Sequence, residues 1–258
     1  MISLQDVCDL PIEFDDLDND FKMPECLHCR RKKDIPIESL AHTLLNSAIN
    51  YPKSVYSEYS VFLEEDEQVF AKDELNYDLL VIPAGLLGIE FIKSHIYYSP
   101  ISSECNNMKF STIVEGIQGM TTVVMQKNTA ACAPGTNQPM VQEGIMIELQ
   151  PKDKIAIPEG YFYTFVNTTG DTVILSRVYK QYKTAPTDSL SRTKGLAYFC
   201  IRKNAKQEFV FNPRFRNIPS IKKMSPRDNH MPELGFDLSE SLYNLARLKT
   251  EKFLSILS

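Results

Sequence analysis

The chain has 258 residues, 43% hydrophobic and 24% charged, with 28 lysines and arginines against 33 aspartates and glutamates, a net charge of −5. That length buries a self-sufficient core, and the acidic balance speaks against a general nucleic-acid binder, which needs a basic face. No window approaches the roughly 18 apolar residues of a membrane helix, and the N-terminus lacks the basic start and apolar run of a signal peptide, so a cytoplasmic location is expected.

The first 25 residues hold eight acids, from Asp6 to Glu25, and one base, Lys22. Such a run repels itself and predicts a loosely held arm over residues 1–36. Within it, Cys26-Leu27-His28-Cys29 has half of a zinc spacing but no second close pair, and Arg30, Arg31, Lys32 and Lys33 follow at once. A solvated loop with reduced thiols is expected there. Ile37, Leu40, Ala41, Leu44 and Leu45 recur at helical spacing and predict one helix over Ile37–Ile49.

From Val55 to Phe211 the period changes to two. Candidate strands are Val55–Leu63, Asn76–Ile82, Ile89–Tyr98, Phe110–Glu115, Met120–Gln126, Ile145–Leu149, Lys154–Ile157, Phe162–Val166, Thr172–Tyr179, Leu196–Ile201 and Gln207–Phe211. Many short strands without alternating helices predict an all-β antiparallel sandwich or jelly roll. The segment 202–228 carries eight basic residues and reads as a solvated face. Beyond Pro226 a final helix is expected, capped by Ser239 or Ser241, with Leu242, Leu245, Leu248, Phe253, Ile256 and Leu257 as its apolar stripe. That stripe packs on the barrel or meets a second copy. The predicted division is an arm at 1–36, a main domain with leading helix at 37–217, and a basic linker with helix at 218–258.

Pro158-Glu159-Gly160, followed by Tyr163 and Asn167, resembles the second signature of the cupin family, with Tyr163 in the place of a metal-binding histidine. Lys93-Ser94-His95-Ile96-Tyr97 resembles the opening of the first signature. His95 matches the first histidine, Tyr97 replaces the second, and Lys109, seven residues before Gly116, stands at the glutamate position. In order along residues 50–217 come Val55-Tyr56 to Val61, Gly85-Leu86-Leu87-Gly88-Ile89-Glu90-Phe91, Gly170-Asp171, Tyr179, Lys194-Gly195 and Asn212-Pro213-Arg214-Phe215. This series resembles the cupin-type (archaeal-type) glucose-6-phosphate isomerases.

The resemblance implies a cupin jelly-roll barrel, to which the periodicity adds a short N-terminal and a C-terminal helix; it further implies a homodimer and aldose–ketose isomerisation of a phosphorylated sugar. It also implies a divalent metal held by three histidines and a glutamate. Of those four positions only His95 is kept; a phenol is a poor ligand near neutral pH and an ammonium repels a cation. The expected cofactor is therefore none, or a weakly bound divalent metal. The resemblance assigns Tyr56 and Tyr179 to the substrate's surroundings, and Glu104, in a longer loop, joins them as the candidate catalytic set. Lys93, Tyr97, Lys109 and Tyr163 are the candidate substrate-binding residues, the two lysines as point charges for phosphate. Two readings stand: an isomerase, and a non-catalytic binding or scaffold barrel that has lost the metal site. The expected partners are a phosphorylated sugar and a second copy, with neither nucleic acid nor membrane.

Overall fold

The period-two stretches become strands because β-branched and aromatic side chains alternate across two buried faces. The computed structural model describes residues 1–72, 75–99, 101, 110–132, 139–180, 190, 192–229 and 231–257. Its longer strands are β1 (Leu27–Pro36), β2 (Ser54–Leu63), β3 (Leu75–Ile82), β4 (Phe110–Gln118), β5 (Thr121–Cys132) and β6 (Pro139–Leu149). There follow β7 (Lys154–Pro158), β8 (Tyr161–Asn167), β9 (Val173–Lys180), β10 (Tyr198–Lys203) and β11 (Lys206–Phe211).

Six of them form one sheet in the order β7–β4–β9–β3–β2–β1. A second sheet runs from Lys222–Met224 through β6, β5 and β8 to the short strand Tyr97–Tyr98. Neighbouring numbered strands are antiparallel; Lys222–Met224 joins β6 in parallel. The sheets share one interior, filled by Leu80, Ile82, Val114 and Leu175 from the first and Val123, Ile147 and Phe165 from the second. This is the all-β jelly roll that the sequence predicts.

A second core lies on the opposite face of the six-stranded sheet. Tyr59, Val61, Tyr77, Leu79, Ile113, Ile174 and Val178 point there. Leu4, Cys8, Leu10, Ile12 and Phe14 cover them together with Leu242 and Leu245 of α1 (Leu242–Leu248), Phe253 of α2 (Thr250–Ile256) and Leu257 just beyond it. The expected loose arm is thereby corrected. Those five arm residues are at most 2% exposed while Asp6, Asp9, Glu13, Asp16 and Asp18 face water, so acids and core residues alternate along one packed segment.

Three further expectations change. The helix at 37–49 is one turn, Ile37–Leu40, followed by a 3-10 turn at Ala41–Thr43; the chain then extends at Leu44, where φ is −88°. Residues 27–36 are the edge strand β1 rather than a loop. Its His28 to Asp34 side chains are exposed, and like charges along an edge discourage pairing with another chain. The C-terminal stripe packs on the barrel as two helices. Ser241 caps the first, accepting from the Asn244 N–H at 3.1 Å. No described helix is long and apolar enough to cross a membrane.

Candidate functional site

Strand parity decides which side chains enter the barrel. On β2 the inward positions include Tyr56, Glu58 and Ser60; on β3, Asp78; on β9, Arg177 and Tyr179. Register then lines them up: Arg31 of β1 stands opposite Ser60, Ser60 opposite Asp78, and Asp78 opposite Arg177. Opposed residues on one face have Cβ atoms about 5 Å apart, close enough for direct contact. A polar row therefore crosses four adjacent strands inside an otherwise apolar interior, and Lys33 lies one row along, opposite Glu58.

The Arg177 guanidinium donates to Asp78 Oδ2 at 2.9 Å and to Glu58 Oε1 at 3.4 Å. Its central carbon lies 4.5 Å from the Tyr97 ring centroid and 4.7 Å from that of Tyr179. Asp78 also accepts from the Tyr179 hydroxyl at 2.7 Å, from Ser60 at 2.5 Å and, more loosely, from Arg31 at 3.5 Å. Glu58 accepts from Tyr97 at 2.6 Å and from Tyr56 at 3.1 Å. The Tyr56 hydroxyl is also 2.8 Å from His95 Nδ1 and accepts from the His95 backbone N–H at 3.2 Å. Tyr163 packs on Tyr97 with ring centroids 5.3 Å apart and shares a hydrogen bond of 2.8 Å with Thr112.

The network fixes protonation states. Burial disfavours the Arg177 cation, but the Tyr97 hydroxyl, Glu58 and Asp78 hold its pKa well above the usual arginine value. Burial pushes Tyr56, Tyr97 and Tyr163 up, so all three stay phenols. His95 is pushed down, first by burial and then, against the pull of Glu58, by Lys33, His42 and Arg177; it is a neutral imidazole at pH 7.

The structure thus brings together Tyr56, His95, Tyr97, Tyr163 and Tyr179. Lys93 is corrected: it is buried, donates to the Thr43 carbonyl at 2.9 Å and is ion-paired with Glu90 three residues before it. Its charge is spent internally. Glu104 and Lys109 lie outside the described residues. Sequence reasoning missed Glu58, Asp78, Arg177 and Arg31. A signal existed: Asp78 shares its inward face with Leu80 and Ile82, and Arg177 with Val173 and Leu175, where an unpaired charge is not tolerated.

A divalent metal fits this donor set poorly. The phenols stay protonated, and the buried guanidinium repels a cation. The Glu58 and Asp78 carboxylates are already taken up by Arg177 and by tyrosine and serine hydroxyls, which leaves one imidazole as the free ligand. Among the described residues no three histidine, cysteine, aspartate or glutamate side chains converge as ligands.

Residues 38–213 match the family model described as "Glucose-6-phosphate isomerase (GPI)". No curated protein sequence matches the chain. Similar solved structures include the cupin domain of Drosophila melanogaster CENP-C, with 14% identity over 48% of this chain and 69% of that one and a TM-score of 0.28. A Bacillus subtilis oxalate decarboxylase has 12% identity over 52% of this chain and 28% of that one, with a TM-score of 0.33.

Proposed function

Because this chain belongs to the glucose-6-phosphate isomerase family, we propose that it keeps the barrel as a binding site for a phosphorylated sugar and has given up metal-assisted isomerisation. The observation that carries this reading is Arg177, a permanent cation paired with Asp78 and Glu58 and held between the rings of Tyr97 and Tyr179. A metal polarises both oxygens of an open-chain sugar as a Lewis acid. A guanidinium paired with two carboxylates does not substitute for it, but held between two rings it makes a rigid floor for a ligand. The homodimer expected from the family belongs to the same proposal; the outer face of the six-stranded sheet is covered by the chain's own ends, so a second copy uses another surface.

A second reading keeps the isomerase, and neutral His95 favours it. An uncharged imidazole can take the C2 proton of the open aldose and return it to C1 of the enediolate while the O2 hydroxyl proton passes to O1, with Tyr56 orienting the ring through Nδ1. Tyr179 and Glu104 are the further catalytic candidates of that reading. A coupled assay of glucose 6-phosphate conversion to fructose 6-phosphate, with and without added manganese or zinc, separates the two. The binding reading expects no turnover in either condition. Turnover that survives a chelator and disappears in His95→Asn establishes the second reading, and metal-dependent turnover overturns both.

A further inference from the structure

We propose that Arg31 and Lys33, on the edge strand β1, form the anchor for the phosphate of the sugar ligand. This rests on the binding reading above and names the residues that would give it affinity. Both lie outside the segment that the family model matches, which begins at residue 38. The anchor thus lies on a strand that the match does not cover.

The first support is placement. Arg31 and Lys33 are two residues apart on one strand, so both project to the barrel side, about 7 Å apart along it. Register sets them opposite Ser60 and Glu58. The neighbouring inward groups, His95, Tyr97 and Tyr179, are half-buried, so the barrel is open to solvent at this rim. The second support is charge. Arg177, Arg31 and Lys33 face two carboxylates, Glu58 and Asp78, leaving one positive charge in excess while His95 is neutral. The third is availability. Asp78 is already served by Arg177, Tyr179 and Ser60 at 2.9 Å or less, whereas Arg31 reaches it at 3.5 Å with half its side chain exposed. Arg31 can turn to an incoming anion without orphaning the carboxylate. Lys33 is exposed and has no recorded ion pair among the described residues. Arg177 Nε, buried beneath them, carries no hydrogen bond, so the guanidinium has donor capacity its two carboxylates do not use. A guanidinium fork with a neighbouring ammonium is the donor pair that a phosphate monoester dianion takes up.

Calorimetric titration of the 258-residue chain tests this, with glucose 6-phosphate, glucose and inorganic phosphate as probes. Wild-type protein should bind glucose 6-phosphate saturably, inorganic phosphate more weakly, and glucose weakest. Lys33→Gln should weaken glucose 6-phosphate by about tenfold, and Arg31→Gln/Lys33→Gln by about a hundredfold, a tenfold loss for each charge-assisted contact. The control Lys222→Gln/Lys223→Gln removes an exposed basic pair elsewhere and should keep wild-type affinity. Since Lys33 forms no ion pair with a described residue, its variant tests the anchor even if the Arg31 change disturbs Asp78. Unchanged affinity in the Arg31/Lys33 variants, or an equal loss in the Lys222/Lys223 control, overturns the anchor while leaving the binding reading in place. A wild-type protein that binds neither phosphate probe overturns the binding reading, and the anchor with it.

Discussion

Asp78 gathers donors from three other strands, and Arg177 is the only one of them that is both fully buried and charged. Removing one member of a buried ion pair leaves the other uncompensated, a loss of about 3–5 kcal/mol. Arg177→Met should therefore lower the urea midpoint markedly. Adding Asp78→Leu should restore part of it, because the two changes share one interaction. His95 makes a separate prediction. Its folded pKa lies below the ordinary 6.5, so above that pH both states are neutral and the native state keeps its full stability. As pH falls through 6.5 towards the folded value, the unfolded chain takes up a proton the native site resists, and stability drains away. Urea midpoints between about pH 7.5 and pH 5 should fall more steeply for the wild type than for His95→Asn.

At the level of elements, α1 is tied down twice. Ser241 caps it, and the Leu242 N–H donates at 2.9 Å to Glu115, whose other oxygen meets Lys154 at 2.8 Å. Burial pushes the Glu115 carboxyl up while Lys154 pulls it down, so this buried pair both anchors the helix and costs desolvation. Ser241→Ala should cost about 1 kcal/mol by chemical denaturation. Glu115→Gln keeps an acceptor for the helix but leaves the buried Lys154 with two carbonyls and no counter-charge, and should cost about 3 kcal/mol or more. The Ser241 cap, the barrel strands and the covering role of Leu242 and Phe253 were all legible in local pattern, because period and cap chemistry are written within a few residues. Strand β1 was not: only Leu27 and Ile35 are buried along it, so no alternation shows. The polar row was hidden for a different reason. Arg31, Ser60, Asp78 and Arg177 are separated by up to 146 positions and meet only through register, which no local window carries.

The whole molecule is a barrel with a covered back. The acidic segment looked disordered because its charge is high, yet Leu4, Cys8, Leu10, Ile12 and Phe14 close a core against both C-terminal helices. Deleting residues 1–26 strips five buried side chains, and at about 1.5 kcal/mol or more for the larger ones this exceeds what a marginally stable domain can lose. The truncated protein should show a lower Tm, bind a hydrophobic dye and aggregate; a Tm equal to that of the full chain would restore the loose-arm expectation. The barrel side keeps the rim of Arg31, Lys33, His95 and Tyr179, and there the central claim is decided. The most direct measurement is calorimetric titration of glucose 6-phosphate into chelator-treated wild-type protein, repeated after adding manganese. The account predicts saturable binding of the same affinity in both, because Arg177 supplies the interior charge. Binding that appears only with the metal, or no binding in either, would contradict it.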